Sequence, residues 1–166
     1  MMLPSAAHSL AVRYRDPQCE ALLKQLHKGS PISRPVLLAL AGLPKPALTV
    51  AARDLASRLG RRLLRADLGH AASPYIGETE KNLQLLFSRA QATDTVLLFD
   101  EADALFGSRS EVRDAHDRYA NLETNYLLNR LEAHRGVVLM LFDSVAEAQK
   151  PRGHLRPVLV RFPPAA

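Results

Sequence analysis

The sequence predicts an α/β fold in which a parallel sheet carries helices on both faces. Short runs made only of apolar residues alternate along the chain with longer segments of helical spacing, and strands that are buried on both faces show such unbroken runs. The 166 residues suffice for one domain with a sizeable core. A hydrophobic fraction of 47% and a charged fraction of 23% are ordinary for a globular protein.

Residues 1–30 are predicted to form an N-terminal arm and one helix, and residues 31–166 the main domain. Residues 1–15 have no clear period and predict a loose arm. The range Asp16–Lys28 predicts a helix, because Pro17 suits the first helical position. The main domain then contains candidate strands and helices in alternation. The predicted strands are 36–41, 63–68, 95–99, 137–142 and 158–160, and the predicted helices are 49–59, 78–92 and 115–134.

Charge and composition argue against several classes of function. The net charge of +5 comes from basic residues scattered over the chain, and aromatic residues make up only 5%. A nucleic-acid surface needs a compact basic stripe with stacking rings, so nucleic acid is not expected as a partner. The single cysteine, Cys19, excludes an internal disulfide and suits a reducing cytoplasm. The sequence shows no signal peptide and no apolar run that could cross a bilayer, so we expect a cytoplasmic protein away from membranes.

The most informative segment is Val96–Glu101, in which four apolar residues end in two adjacent carboxylates. Such a run predicts a buried strand that delivers Asp100 and Glu101 to the edge of a sheet. Nucleotide hydrolases use this pair: the first carboxylate holds Mg²⁺ through its water shell, and the second orients the attacking water. Asp100 is therefore the candidate metal residue and Glu101 the candidate catalytic base. The alternative is that both acids are paired with nearby cations and have no catalytic role.

The residues around this pair closely resemble the AAA+ ATPase family. The resemblance rests on Asp100–Gly107, on Tyr75–Asn82 upstream, and on Arg113–Glu123 and Asn125–Leu128, which look like bacterial AAA proteins, including those encoded with contractile injection machines. It implies a three-layer αβα fold of the P-loop NTPase type over about 36–162, with five parallel strands in the order 5-1-4-3-2. It also implies ATP and Mg²⁺ as cofactors, and ATP hydrolysis coupled to protein remodelling.

The resemblance breaks at the phosphate-binding loop, which in its working form reads G-x-x-x-x-G-K-[ST]. Gly42 matches the first glycine, and Thr49 matches the hydroxyl that binds the metal. Ala47 replaces the second glycine, and Leu48 replaces the lysine that meets the phosphates. Lys45 is a lysine in this segment, but it lies three residues too early. These five residues are the candidate nucleotide-binding positions; the alternative is a rigid connection that contacts no nucleotide.

Three further sites follow from the resemblance. Tyr75, Ile76 and Gly77 correspond to the loop that grips an extended polypeptide in the central channel of a ring, although a loop of this kind also serves as a plain anchor. Asp143 occupies the place of the polar sensor that touches the γ-phosphate, where a carboxylate would repel that phosphate. Arg156 is the residue that fits the arginine finger offered to a neighbouring subunit.

The sequence reaches Ala166 without the small helical lid that the family places here. Together with the altered loop and sensor, this predicts a degenerate AAA+ core domain that is unable to hydrolyse ATP and acts as a binding or regulatory partner of other proteins. The partner would be an intact AAA+ paralogue or a component of a contractile injection machine. Two alternatives stay open: a weak ATP-binding ATPase that uses Asp100 and Glu101, and a decayed copy that folds but has no selected role.

Overall fold

The computed structural model describes residues 11–66, 77–103, 125–150 and 154–163. The strands in this part of the chain are β1 (Ala11–Arg13), β2 (Val36–Leu40), β3 (Leu63–Ala66), β4 (Val96–Phe99), β5 (Val137–Leu141) and β6 (Val158–Arg161). The helices are α1 (Pro17–Leu26), α2 (Lys45–Arg58), α3 (Glu78–Ala92), α4 (described over 125–133) and α5 (Val145–Ala148). The described strands form one parallel sheet in the order β1-β6-β2-β5-β4-β3.

The sheet confirms both the predicted α/β class and the predicted strand order. With β2 taken as the first strand, the five strands of the main domain lie in the order 5-1-4-3-2. Strand β1 is an addition to this pattern, because it pairs with β6 and places Ala11 opposite Leu159. The expectation of a loose arm over 1–15 was therefore wrong for 11–13. A strand of 3 residues is too short to show an alternating period, although Val12 is buried in the core.

Alternate residues of the central strands face two separate apolar layers. On β2, Leu38 and Leu40 pack with the buried residues of α1 and α2. Leu37 and Ala39 point to the other face and pack with the buried residues of α3 and α4. Successive side chains of a strand point to opposite faces of the sheet. Both sets are apolar here because helices cover both faces. The predicted three-layer αβα arrangement is thus confirmed.

Helix α2 begins earlier than predicted, at Lys45 instead of Thr49. Pro46 lies in its first turn, where the fixed φ of proline favours the helix and the missing N–H has no partner to lose. Ala47 and Leu48 are strong helix formers, and no glycine stands at these positions to delay the start. The second half of the predicted phosphate-binding loop is therefore helical, which decides where its side chains point.

The N-terminal elements are fastened to the rest of the domain by side chains. The ring of Tyr14 lies 5.1 Å from that of Phe162, measured between centroids. Its hydroxyl donates a hydrogen bond to Asp54 of α2, and burial followed by this bond raises the pKa of Tyr14. Arg58 of α2 donates to Glu20 of α1. Helix α1 is thus held to α2 by polar contacts as well as by the apolar layer that they share.

His134, which follows α4, is the one buried histidine among the residues that the structure describes. It is 3% exposed, and neither ring nitrogen has a hydrogen-bond partner among the described residues. Its ring meets that of Phe87 edge-on, with 5.3 Å between centroids. A Cβ atom on Gly136 would lie 2.7 Å from Nε2 of His134, so glycine is needed for this close approach. Burial, and then the charge of Arg130, lower the pKa of His134.

We expect the protein to lose stability as the pH falls below about 6.5 because of this histidine. The folded pKa is lowered, so the unfolded chain takes up a proton that the folded chain does not bind. The full stability is present above the unfolded pKa of 6.5 and decreases toward the folded pKa, by at most about 1.4 kcal/mol per pH unit. Urea unfolding at pH 6.5 and pH 5.5 measures this decrease.

The matched variants for this experiment are His134→Leu and His154→Leu. The leucine at the buried position should remove most of the decrease, because no proton uptake then distinguishes the two states. The exposed His154 should leave it unchanged when replaced. An equal decrease in His134→Leu and in the wild type would mean that other groups cause the pH dependence.

Candidate functional site

The predicted site residues converge at the carboxyl ends of three neighbouring strands. Gly42 follows β2, Asp100 follows β4, and Asp143 follows β5. These strands are adjacent in the sheet and parallel, so their carboxyl ends lie at the same edge. A cavity of about 220 Å³ opens there, and its lining includes Pro44, Leu48, Asp100 and Asp143. The structure thus brings together the altered loop, the acidic pair and the sensor position.

The turn after β2 depends on Gly42. Its φ of +99° lies in the left-handed region, which side chains with a Cβ atom avoid. Space is not the constraint, because a Cβ atom here would lie 3.6 Å from Cγ2 of Val145, an ordinary contact. This glycine of the phosphate loop is therefore required by backbone conformation, whether or not a phosphate binds.

The side chain at the lysine position points into the core. Leu48 is 2% exposed and belongs to the apolar cluster between α1, α2 and the sheet. Its N–H donates to the carbonyl of Pro44 over 3.0 Å, as the first turn of a helix requires. Ala47 is exposed beside it. The hydroxyl of Thr49 donates a hydrogen bond to the carbonyl of Lys45 over 3.0 Å. The lone pairs of Oγ1 are not used by this bond, so they are the atoms through which Thr49 would bind a metal ion.

Both acids after β4 are paired with cations of this chain. Asp100 is 7% exposed and accepts hydrogen bonds from the guanidinium of Arg65 on β3. Oε1 of Glu101 lies 3.2 Å from Nζ of Lys45, and both of these side chains are about half exposed. A metal ion at Asp100 or a water molecule activated by Glu101 would have to share the carboxylate with these partners or displace them.

A second group of carboxylates surrounds the sensor position. The N–H of Asp143 donates to Oδ2 of Asp103 over 2.8 Å. The other oxygen of Asp103 is buried and has no hydrogen-bond partner among the described residues. Burial, followed by the charges of Asp143 and Glu147, raises the pKa of Asp103, and the Asp143 bond opposes that rise. The carboxyl groups of Asp103 and Asp143 therefore lie close together at the position predicted for the sensor.

Comparison with known proteins decides the family. Residues 38–156 match the family described as ATPases associated with various cellular activities (AAA). The chain belongs to the AAA family. The match includes the last three residues of β2, the acidic pair, the sensor position and Arg156, so the elements that form the cavity are those of an AAA domain.

Relatives with related sequences are AAA ATPases from distant organisms. An uncharacterised AAA family ATPase of Sinorhizobium fredii is 39% identical over 70 residues, which are 42% of this chain and 21% of that protein. The ATPase family protein 2 homolog of Caenorhabditis elegans is 35% identical over 113 residues, 66% of this chain and 15% of that protein. The proteasome-associated ATPase of Mycobacterium tuberculosis is 29% identical over 108 residues, 53% and 18% respectively. The chain thus spans less than a quarter of the length of these relatives.

The predicted roles of the pore loop and of Arg156 stay predictions, as do those of the other site residues. Tyr75 and Ile76 of the pore loop lie outside the described residues, whereas Gly77 precedes α3 with a φ of +79°. Arg156 donates from Nη1 to the carbonyl of Leu155 over 3.0 Å, just before β6. This bond holds the guanidinium against its own chain in the isolated AAA domain.

Sequence reasoning missed the partners of the acidic pair. Arg65 lies opposite Leu98 in the β3–β4 register, close to the carboxyl end where Asp100 follows. The family strand order places these two strands side by side, so the order together with the position of Arg65 near its strand end was a usable signal. Asp103 was part of the family motif but received no role, because its burial is not visible in the sequence.

Neither a membrane-spanning helix nor a metal cluster is present in the part of the chain that the structure describes. Among the described residues, no helix is long and apolar enough to span a membrane. The same residues include no cluster of three or more histidine, cysteine or acidic side chains arranged to hold a metal ion. Cys19 is a free, buried thiol whose pKa is raised, first by burial.

Proposed function

We propose that this AAA domain does not hydrolyse ATP and acts as a binding or regulatory partner of other proteins. The observation that carries the proposal is the pairing of both acids with cations of the same chain. Asp100 needs a free carboxylate to hold the water shell of Mg²⁺, and the guanidinium of Arg65 binds its Oδ2. Glu101 needs a free carboxylate to orient water, and the ammonium of Lys45 lies 3.2 Å away. This donor set does not fit a Mg²⁺–phosphate group.

The buried leucine at position 48 supports the same conclusion. A lysine in its place would give the phosphates a charge-assisted hydrogen bond, worth about 1.5–3 kcal/mol, or roughly ten- to hundredfold in affinity. Leu48 supplies apolar packing in the core instead. The carboxylates of Asp103 and Asp143 add repulsion at the position of the γ-phosphate.

We propose a protein as the partner, in the reducing cytoplasm that a free Cys19 suits. The name of the mycobacterial relative, a proteasome-associated ATPase, describes an AAA protein that acts with a protein assembly. For this chain the proposed partner is an intact AAA+ paralogue or a component of a contractile injection machine. A pull-down with the purified paralogue tests the first of these partners. A decayed copy without a selected role would retain no partner protein in that pull-down.

We expect calorimetric titration with ATP and Mg²⁺ to give no saturable binding at micromolar nucleotide. The lysine contact is missing, and the candidate metal carboxylate is engaged by Arg65. Titration of ADP under the same conditions should give the same result, because both nucleotides need the β-phosphate cradle. A dissociation constant in the micromolar range would contradict the proposal.

The second candidate function is a weak ATP-binding ATPase, and one observation favours it. Lys45 lies at the mouth of the site and lines the cavity between β2, β4 and β5, so an ammonium is available near a bound phosphate. If this function holds, Lys45→Gln should abolish any nucleotide-dependent melting shift. The matched variant Lys81→Gln, exposed on α3, should keep it. No shift in the wild type would leave the non-hydrolysing partner as the better account.

A further inference from the structure

Four exposed cations lie at the amino ends of the strands, at the edge of the sheet opposite the acidic pair. They are Lys28, Arg34, Arg62 and Arg135, and together they form the basic edge. Arg34 stands two residues before β2, Arg135 two residues before β5, and Arg62 directly before β3. Lys28 joins them because its N–H donates to the carbonyl of Leu59, just after α2, over 2.8 Å. The fold thus gathers basic residues that are scattered along the sequence.

The side chains of the basic edge are unpaired within the described part of the chain. None of the four makes a hydrogen bond or an ion pair with the described residues. They also stand outside the helices. Lys24 and Arg89 differ in this respect, because they lie in the last turns of α1 and α3 and balance the negative ends of those helix dipoles. The four cations of the basic edge are therefore available to a partner.

The acids near this edge do not cancel its charge. Asp94 precedes β4, between β5 and β3 in the sheet, and it is paired with the buried guanidinium of Arg61. The remaining acid among the described residues of this edge is Glu132, in the last turn of α4. The opposite edge carries Asp103 and Asp143 beside an acidic pair that cations already neutralise. The two ends of the sheet differ in charge, and an acidic molecule is steered to the basic edge.

We propose that the basic edge docks an acidic, extended segment of a partner protein; this inference rests on the proposed role of the domain as a binding partner. Neighbouring strands lie about 4.8 Å apart, so the edge from β2 to β3, across β5 and β4, spans about 14 Å. An extended segment advances about 3.3 Å per residue, so about five residues cover that span. Its carboxylates pair with the arginines through two parallel hydrogen bonds each.

The chemistry of the edge favours a protein over nucleic acid or a membrane. Its loops contain no phenylalanine, tyrosine or tryptophan on which bases could stack. These loops are residues 27–35, 59–62, 93–95 and 134–136. The exposed large apolar side chains of the described chain, Val50 and Leu85, stand within α2 and α3 and not in these loops. The described edge therefore offers charge without the apolar groups that would insert into a bilayer.

Fluorescence anisotropy with a labelled peptide of about eight glutamates tests the proposal on the intact protein. We expect saturable one-to-one binding that weakens as salt is raised. The double variant Lys28→Gln with Arg62→Gln should weaken the affinity about fivefold or more at constant ionic strength, because two exposed charge pairs are lost.

The matched control is the double variant Arg13→Gln with Lys81→Gln. It removes two exposed cations away from the basic edge, one at the carboxyl end of β1 and one in the first turn of α3. It should change the affinity for the peptide by less than about twofold, because these charges lie beyond the reach of the docked segment. Thermal melts of both double variants should match the wild type, since all four side chains are exposed.

Three outcomes would overturn the proposal. They are no saturable binding of the peptide, equal weakening in the two double variants, and tighter binding of an oligothymidylate or of phosphatidylserine vesicles that is lost in the variant at Lys28 and Arg62. The third would assign the edge to nucleic acid or to a membrane.

The titration with ATP and Mg²⁺ separates this failure from that of the proposed function. Peptide binding at the basic edge together with micromolar ATP binding would retain the docking surface and overturn the proposed function. No peptide binding together with no ATP binding would overturn the docking surface alone.

Discussion

Replacing Leu48 with lysine is expected to lower the free energy of unfolding by about 3 kcal/mol or more, instead of restoring a phosphate contact. The side chain at this position is 2% exposed within the apolar cluster between α2 and the sheet. An ammonium there would lose hydration within the apolar cluster, and of the carboxylates that line the same cavity, Asp100 is already paired with Arg65. Urea unfolding of Leu48→Lys, and of the double variant Ala47→Gly with Leu48→Lys, measures the loss. Neither variant should gain an ATP-dependent melting shift.

Two controls separate the charge from the change of shape. Leu48→Met keeps the volume and should cost less than about 1.5 kcal/mol. Ala47→Lys places the same ammonium on the exposed neighbouring position and should change stability little. If Leu48→Lys were as stable as the wild type and gained a melting shift with ATP, the lysine would reach a bound phosphate from this position, and the proposed function would lose one of its supports.

Replacing Arg61 with methionine is expected to lower the free energy of unfolding by about 3 kcal/mol. The arginine side chain is 2% exposed, and its Nε donates to the carbonyl of Leu26 over 2.9 Å at the end of α1. Its Nη2 donates to the carbonyl of His27 over 3.3 Å. Methionine fills a similar volume but leaves these carbonyls without this donor. A buried acceptor that loses its hydrogen-bond partner lowers the free energy of unfolding. Urea unfolding of the variant measures the loss.

The matched control is Asp94→Asn, which removes the ion pair of Arg61 but keeps its bonds to the carbonyls. Asp94 is 60% exposed, so the pair is screened by water and its loss should cost less than about 1 kcal/mol. Asparagine also tolerates the φ of +51° at this position. Equal losses in the two variants would mean that the ion pair, and not the carbonyl bonds, is what stabilises the junction.

The sequence alone predicted the features that follow from a repeating pattern of apolar residues along the chain. The strands β2, β4 and β5 are unbroken apolar runs, and the structure places all of them in the sheet with the order that the family resemblance implies. The convergence of Gly42, Asp100 and Asp143 followed from the same order, because parallel strands end at one edge. Local periodicity and a motif therefore carried the fold and the position of the candidate site.

The remaining features depend on burial and on side-chain direction, which a single sequence does not show. Because α2 starts at Lys45, Leu48 is a core residue and not the loop residue that was predicted. That start depends on the local helix preferences of proline, alanine and glycine. Arg65 and Lys45 reach the acids across strand and helix boundaries. Arg61 and His134 are polar residues in buried positions, against the usual tendency of their types.

The pairing of β1 with β6 has a consequence for how the domain is made. Ala11 and Leu159, which are opposite each other in the register, come from nearly the two ends of the described chain. A nascent polypeptide that has not yet produced β6 therefore leaves one side of β2 and the whole of β1 without partners. Such open edges invite pairing between chains, and long-range closure of this kind slows folding. Translation must reach Arg161 before this half of the sheet is protected from aggregation.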